Sequence, residues 1–292
     1  MNKYILMIIF ILMYKMNYCQ IKALVVDSVS NKPLKFVNVW VKDRNIGTTT
    51  NYEGRFEIKN LKDKVFLTFS KVGYEKKTIN IDSINHSIRL KPKILKLEEV
   101  TLKLNLKKEI LKLGELRKSK INDYFISSNS PMIVARYFKN NFKNSDLRFI
   151  KSIKIITKSK IDSAKFNIRL YEGSKNKKPI KYLYNKDIIS VAKKGKSYTE
   201  IDISDLNVKF PKNGIFVAIE WLLIEENSYD FIFEFKNKSY NKKIFYPKIG
   251  VLETNQDNNS WIFTKGKWER IKKNVNGETI YKHIAMELIL TN

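Results

Sequence analysis

The 292-residue sequence predicts an all-β protein: a small antiparallel β-sandwich, a short connecting helix and a larger, jelly-roll-like β-sandwich. Three observations predict this order. Apolar and polar residues alternate over short runs, turn-forming residues separate those runs, and the alternation changes to helical spacing near residue 110. We therefore divide the chain into residues 1–20, 21–100, 101–128 and 129–292.

Residues 1–20 have the pattern of an export signal. Lys3 precedes the apolar run YILMIIFILM, and polar residues follow as far as Gln20. The run is too short to cross about 30 Å of hydrocarbon as a helix, so we expect cleavage near Gln20 and no transmembrane segment in the mature chain. Lipid attachment at Cys19, the only cysteine, is an alternative, but Tyr18 stands where a lipoprotein signal has a small residue.

Residues 21–100 contain seven short runs with strand character, separated by turns, which predicts a small antiparallel sandwich. Its clearest part is NYEGRFEI, residues 51–58, in which a four-residue turn is followed by an alternating strand. Gly54 ends the turn, and we expect it to have a positive φ, because only glycine adopts that conformation without steric cost.

The order of several short motifs carries a resemblance to a known family. They are Pro33-Leu34, GTTTNYEGRF at 47–56, Val72-Gly73-Tyr74 and Leu97-Glu98-Glu99-Val100. In this order and spacing they resemble the carboxypeptidase regulatory-like domain, a transthyretin-like (Ig-like) sandwich common in exported bacterial surface proteins. The resemblance covers residues 21 to about 103 and implies a non-catalytic accessory module.

Residues 101–128 predict a linker. Leu102, Leu104 and Leu106 alternate as at the end of a strand, and Leu106, Ile110 and Leu113 then follow helical spacing. We interpret this as a short, lysine-rich connecting helix.

Residues 129–292 return to strand patterns. The candidates are 150–157, 164–171, 197–203, 214–224, 231–235 and 280–290, and Trp221 is expected in the core. Eight or more strands in this length fit a jelly-roll or a related sandwich. The runs FNIRLYEGSKNKKPIKYLY and YTEIDISDLNVKFPKNGIFVAIEWL, with the later SWIFTKGKW, are similar to a sandwich of uncharacterised exported proteins and, in strand rhythm, to carbohydrate-binding sandwiches. This resemblance implies no particular ligand site.

The formal net charge is +27, which raises the question of nucleic-acid binding. Eight of the 56 basic residues are arginine, so 56 − 8 = 48 are lysine, spread along the whole chain. Arginine is the residue that recognises bases and phosphates through paired hydrogen bonds. We therefore interpret the charge as a solvated surface and expect no nucleic-acid partner.

Three aromatic residues of the second domain are candidates for ligand binding: Trp261, Trp268 and Tyr246, which could stack on sugar rings if exposed. The alternative is that they pack in the core. Cofactors are not expected, although Asp202, Asp205 and Glu220 could gather around Ca²⁺ if they do not simply cap turns.

No motif of an enzyme's catalytic site occurs in the sequence. His86 and His283 lie in different predicted domains without an HExxH pattern, and no serine has a GxSxG context. We therefore expect an exported, non-catalytic accessory or binding protein of the bacterial cell envelope, located in the periplasm, at the outer-membrane surface or secreted, with a glycan or an envelope protein as its partner. The alternative is a carbohydrate-active or other hydrolase with an unrecognised site in the C-terminal sandwich.

Overall fold

A computed structural model describes residues 19–61, 65–84, 86–93, 109–128, 130–141, 149–173, 178–179, 181–255, 260–275 and 277–292. Nearly all of the predicted export signal and residues 101–108 of the predicted linker lie outside the described residues. No described helix is long and apolar enough to cross a membrane.

The first domain is a sandwich of seven strands, as predicted. They are β1 (Cys19–Asp27), β2 (Asn38–Val41), β3 (Gly47–Thr49), β4 (Arg55–Leu61), β5 (Phe66–Ser70), β6 (Lys77–Asn80) and β7 (Ser87–Leu90). One sheet has the order β4-β1-β7 and the other β3-β2-β5-β6. β1 is antiparallel to β4 and parallel to β7.

The alternation of this domain's strands places one apolar set between the two sheets. Val25, Val39, Leu67, Phe69 and Leu90 are fully buried there. The all-β sandwich predicted for this part is thereby confirmed.

Gly54 occupies the predicted turn with φ +72°. A Cβ atom there would lie 2.8 Å from the Val25 carbonyl oxygen and 2.9 Å from the Leu34 nitrogen. The glycine is therefore required both by the turn and by close packing, so asparagine, which tolerates a positive φ, would not fit either.

The second domain is a larger two-sheet sandwich. Its strands are β8 (Ile110–Glu115), β9 (Asp123–Ser127), β10 (Ile133–Phe138), β11 (Phe149–Ser159), β12 (Ala164–Glu172), β13 (Ile188–Ala192), β14 (Gly195–Asp202), β15 (Ile215–Trp221), β16 (Ser228–Phe235), β17 (Lys238–Thr254), β18 (Trp261–Thr264), β19 (Lys267–Arg270), β20 (Lys272–Val275), β21 (Glu278–Ile284) and β22 (Met286–Thr291).

The six-stranded sheet has the order β13-β12-β15-β10-β18-β19. The nine-stranded sheet has the path β20-β21-β17-β11-β22-β8, with β14 on β11 and both β16 and β9 on β17. Alternate residues of β12, β15, β11 and β22 form the core between the sheets, and Trp221 is fully buried in it, as predicted. The all-β sandwich class is confirmed for this domain as well.

The predicted connecting helix is wrong for the described part of the linker. Residues 110–115 form β8, which pairs with β22, and residues 123–127 form β9, which pairs with β17. Between them, Lys118–Lys120 form a single 3-10 turn. Leu111 and Leu113 lie against the main core with period 2, so strand pairing prevails over the helical spacing of Leu106, Ile110 and Leu113. The strands at 110–115 and 123–127 are therefore part of the nine-stranded sheet of the second sandwich.

The two sandwiches are packed against each other. Phe36 of the first domain is buried with Leu222 and Ile224 of the second. The Leu223 backbone N–H donates to Thr49 Oγ1 at 3.0 Å. These contacts join the segment before β2 and the end of β3 to residues 222–224, which follow β15.

Candidate functional site: a cleft between the sandwiches

A cleft of about 660 Å³ lies between the two domains. This volume is within the usual range for small-molecule sites. A second hollow of about 510 Å³ shares Lys71, Gly73, Tyr74 and Lys93 with it. The residues that line the larger cleft are Asn38, Trp40, Ser70, Lys71, Gly73, Tyr74, Glu75, Lys76, Lys93, Ile133, Tyr171, Lys181, Tyr182, Phe263 and Trp268.

The second domain contributes an aromatic face, which we define as Tyr171, Tyr182, Phe263 and Trp268. Phe263 and Trp268 are cross-strand partners in the β18–β19 hairpin, so their rings emerge on the same side of the sheet, with centroids 5.3 Å apart. Tyr171 of β12 meets the edge of Trp268 at 5.6 Å and stacks on Tyr182 at 4.7 Å. The four rings form a continuous surface.

The first domain closes the cleft with Trp40, a residue of β2. Its ring meets Phe263 edge-on at 5.8 Å, and the Lys76 ammonium lies 5.3 Å from its centroid. The turn of the β18–β19 hairpin approaches the same indole, because a Cβ on Gly266 would lie 3.2 Å from Trp40 Nε1. Both sandwiches are therefore needed to form the cleft.

A buried polar network continues the aromatic face along β12 and β15. Asn167 is the cross-strand partner of Glu220, and Arg169 lies diagonally across from it on the same face. Arg169 donates from Nε and Nη2 to the Glu220 carboxylate, both at 2.7 Å, and Asn167 Nδ2 donates to it at 3.0 Å. Asn38 of the first domain donates to the same carboxylate.

A second ion pair joins the domains beside this network. Lys71 of the first domain donates to Asp187 of the second, and Asn167 Nδ2 donates to Asp187 at 2.9 Å. The side chains of Lys71 and Asp187 are 10% and 15% exposed, and those of Arg169 and Glu220 are 1% and 0%. We define the polar network as Asn38, Lys71, Asn167, Arg169, Asp187 and Glu220.

Burial changes the pKa values of groups around the cleft. It raises the pKa of Tyr74 to about 12, supported by the hydrogen bond that the Tyr74 hydroxyl donates to Asp27 at 2.8 Å. Burial also raises the pKa of Tyr171 and lowers that of Lys71, the latter against the opposing effect of Asp187. Tyr74 and Tyr171 therefore remain neutral hydrogen-bonding groups at ordinary pH.

Residues 21–102 match the family model of the CarboxypepD_reg-like domain. The all-β sandwich and the seven strands of this region agree with the match. The first sandwich is a CarboxypepD_reg-like domain. The match stops before β8, so it covers the first wall of the cleft and none of the aromatic face.

No curated protein matches this sequence. Among solved structures, a clostridial cysteine protease after propeptide cleavage is 13% identical, with a TM-score of 0.38 over 65% of this chain and 42% of that one. The cysteine protease and lectin-like domains of a surface-layer-associated protein of Clostridium difficile are 14% identical, with a TM-score of 0.37 over 65% of this chain and 37% of that one. The structure of infectious bursal disease virus, Gx strain, is 6% identical, with a TM-score of 0.23 over 94% of this chain and 64% of that one.

The chain thus covers 42% and 37% of the length of the first two structures. Likenesses as distant as these three identify neither an activity nor a ligand.

The structure separates the three predicted ligand-binding residues. Trp268 lines the cleft opposite the CarboxypepD_reg-like domain. Trp261 lies on the same outer face as Trp268 but outside the cleft, with the Arg270 guanidinium 5.0 Å from its ring centroid. Tyr246 is 2% exposed and packs against Tyr229 within the core of the second sandwich, so it does not share a surface with the two tryptophans.

The three acidic residues considered for Ca²⁺ do not form one site. Glu220 belongs to the polar network, whereas Asp202 accepts hydrogen bonds from the Ser204 backbone and hydroxyl at 2.9 and 2.6 Å. Asp205 lies in the 3-10 turn Ser204–Leu206, next to that cap. In the described part of the chain no group of three or more His, Cys, Asp or Glu residues could hold a metal ion.

Sequence reasoning missed Trp40, Lys71, Arg169 and Asp187. Two features of the sequence indicate the polar network. Glu220 interrupts the apolar run IFVAIEWLLI, and Arg169 interrupts FNIRLY. A charged residue in the middle of a buried strand requires a partner. The signal for Trp40 and Lys71 is weaker, since their role depends on how the CarboxypepD_reg-like domain docks.

Proposed function

We propose that this chain is an exported, non-catalytic binding protein of the bacterial cell envelope whose interdomain cleft binds a glycan. The observation that carries the proposal is the aromatic face closed by Trp40. Tyr182, Phe263 and Trp268 are partly exposed there, so a ligand can reach them. Aromatic rings of this kind offer apolar contact area to the faces of sugar rings, while nearby polar groups meet the hydroxyls.

The charges around the cleft favour an acidic glycan over a neutral one. Lys76, Lys93 and Lys181 are exposed at its rim. Among the described residues that line the cleft, Glu75 is the one carboxylate, and Lys91 lies 3.2 Å from it. Uronate or sulfate groups would therefore meet an excess of positive charge.

Two buried donors lie on the outer face of the six-stranded sheet. Arg169 Nη1 and Trp261 Nε1 have no hydrogen-bond partner among the described residues. The guanidinium of Arg169 lies 5.7 Å from the ring centroid of Tyr182, which lines the cleft. Both nitrogens are buried, and Trp261 lies outside the cleft, so a bound glycan would meet the aromatic face and the rim lysines rather than these donors.

Calorimetric titration of the full chain tests the proposal, with acidic and neutral oligosaccharides of equal length as ligands. We expect tighter binding of the acidic series, and Trp268→Ala to weaken it by about tenfold through loss of ring contact. Tyr198→Ala is the matched control, because Tyr198 is 51% exposed and lies outside the cleft. Absence of binding, or equal effects of the two substitutions, would contradict the glycan proposal.

The same titration distinguishes the hydrolase alternative. A glycosidase needs two carboxyl groups that face each other across the scissile bond. We expect the oligosaccharides to remain intact by mass spectrometry after prolonged incubation with the chain. Release of shorter products would favour the hydrolase.

Export is tested separately, by mass spectrometry of the protein secreted from a bacterial host. The charged start, apolar run and polar end of residues 1–20 lead us to expect a mature N-terminus at Gln20 or Ile21. A diacylated N-terminal Cys19 would replace the free protein by a lipid-anchored one. An unprocessed chain retained in the cytoplasm would contradict export itself.

A further inference from the structure

The hairpin of β16 and the first part of β17 extends away from the second sandwich. Every residue from Asp230 to Lys243 is exposed. Lys236 and Asn237 form its two-residue turn with φ +49° and +59°, the backbone of a tight type I′ hairpin. The strands pair in register from Ser228↔Phe245 to Phe235↔Lys238, so the hairpin is fully formed although residues 230–243 are all exposed.

One face of this hairpin is aromatic and basic. The pairs Phe231↔Lys242, Phe233↔Tyr240 and Phe235↔Lys238 share that face. Phe233 stacks on Phe231 at 5.8 Å and on Tyr240 at 5.5 Å. Asp230 and Glu234, the two acidic residues of the hairpin, alternate onto the opposite face.

The exposure of the rings is large for side chains of this size. Phe231, Phe233, Phe235 and Tyr240 are 39%, 38%, 57% and 42% exposed, and Ile232 on the other face is 66% exposed. The Lys236 ammonium lies 5.5 Å from the centroid of Phe235. A contiguous apolar surface that remains exposed in a folded protein marks an interaction site.

We propose that this hairpin inserts its aromatic face into the interfacial region of an anionic lipid bilayer. Phenylalanine and tyrosine side chains partition into the boundary between headgroups and acyl chains, and lysine stems reach from there to the headgroup phosphates. The lysines beside the rings, with no carboxylate on the same face, complement an anionic leaflet.

The net charge of the chain distinguishes this occupant from a second copy. A copy of this protein would bring its own excess of +27 to the interface, and the lysines of both hairpins would face each other. An anionic bilayer instead attracts the positive charge of the whole chain, and the exposed aromatic rings of the hairpin then determine which part of the protein contacts the lipid. This inference does not depend on glycan binding in the cleft.

The test is cosedimentation of the full chain with vesicles of phosphatidylglycerol in phosphatidylcholine, and with vesicles of phosphatidylcholine alone. We expect binding to the anionic vesicles and a loss of roughly tenfold or more for the double substitution Phe233→Ser, Phe235→Ser. The matched control is Phe66→Ser, because Phe66 of the first sandwich is 49% exposed and has the Lys42 ammonium 6.0 Å from its ring centroid. Equal binding of the double variant and of Phe66→Ser would mean that net charge alone attracts the protein, and would overturn the proposal.

A reporter at the hairpin gives a second readout. In the Phe235→Trp variant we expect a blue shift of tryptophan emission, and quenching by brominated lipid, when anionic vesicles are added. An unchanged spectrum would overturn insertion even if the protein sediments with the vesicles. Analytical ultracentrifugation without lipid tests the alternative that the hairpin binds a second copy of the chain. A dimer that the double substitution dissociates would show this and would overturn the lipid proposal.

Discussion

The two outer faces of the second sandwich carry similar charged pairs in different surroundings. On the six-stranded sheet, Arg169 and Glu220 pair across β12 and β15, with side chains 1% and 0% exposed. On the nine-stranded sheet, Lys154 and Glu200 are direct partners across β11 and β14, 3.1 Å apart, with side chains 31% and 50% exposed. The difference is that the first sandwich covers the Arg169–Glu220 pair, whereas the Lys154–Glu200 pair faces solvent.

This comparison shows what docking of the first domain does to the second. A charged pair on an open sheet face is solvated and contributes little to stability. The same kind of pair under a second domain loses its water, so each charge depends on its partner and on the hydrogen bonds around it. The covered face also carries the aromatic residues of the cleft. Docking of the first sandwich therefore both forms the cleft and buries the Arg169–Glu220 pair.

The largest expected effect is that of Glu220→Ala. It leaves the Arg169 guanidinium buried without its counter-charge and removes the acceptor of Asn38 and Asn167. We expect a loss of about 3–5 kcal/mol in the free energy of unfolding, measured by urea denaturation.

The control for this variant is the double substitution Arg169→Met, Glu220→Met. Because neither charge of the Arg169–Glu220 pair then remains, no buried charge is left without its partner, and the double variant should recover a large part of the loss. If the single and double variants are equally unstable, the cost would come from packing at the domain interface rather than from the unpaired charge.

Two glycines, one at the domain interface and one away from it, test how tightly the first sandwich packs on the second. Gly73 has φ +80°, and a Cβ there would lie 2.6 Å from the Asn185 carbonyl oxygen across the interface. Gly195 has φ +91° at the start of β14, with nothing within 4 Å of its Cβ position. Alanine meets the same backbone strain at both sites, so the difference between them reports the clash.

We expect Gly73→Ala to cost about 2–3 kcal/mol and Gly195→Ala about 1 kcal/mol, measured by thermal unfolding. Gly73→Ala should also weaken any ligand binding in the cleft, since Gly73 lines it. Similar losses from the two variants would mean that the domains separate easily at Gly73.

The sequence was sufficient for what depends on local alternation and turns. The seven strands of the first domain, the turn at Gly54 and the burial of Trp221 follow from residues close together in the chain. Family resemblance, now supported by the match over residues 21–102, added the sandwich topology.

What the sequence could not predict depends on partners far along the chain. β8 is a strand because it pairs with β22, which lies at the other end of the second domain. Tyr246 and Trp268 occur in similar contexts, but β17 turns one into the core and β19 places the other in the cleft. The cleft itself requires Trp40 and Phe263, more than 200 positions apart, to meet.

The nine-stranded sheet has its own covered group, His283, which lies opposite Leu252 and is 7% exposed. Burial, with the nearby positive charge of Arg136, lowers the pKa of His283 to about 3, while Glu115 acts in the opposite direction. The unfolded chain has its histidine pKa near 6.5 and therefore binds the proton first as the pH falls. Stability from this group is complete above about pH 6.5 and is lost progressively between that value and about pH 3.

At pH 5 the loss should be about 2 kcal/mol relative to pH 7. Urea denaturation of His283→Gln should show a smaller decline than the parent protein over this interval. His86→Gln is the control, because His86 is exposed in the first domain. An unchanged pH dependence in His283→Gln would contradict a neutral buried histidine.

The smallest expected effect concerns the open face. Glu200 accepts a hydrogen bond from Ser152 Oγ at 2.8 Å and is 3.1 Å from Lys154 Nζ, and these contacts lower its pKa, the hydrogen bond from Ser152 most strongly. Half of its side chain is nevertheless exposed, so water and salt screen the pair. Glu200→Gln should therefore change the free energy of unfolding by less than about 1 kcal/mol, and high salt should reduce the difference further.

The comparison variant is Glu220→Gln, measured in the same way. Its loss in the free energy of unfolding should be several times larger and should change little with salt. Equal losses of stability in Glu200→Gln and Glu220→Gln would show that burial under the first sandwich does not determine how much the Arg169–Glu220 pair contributes to stability.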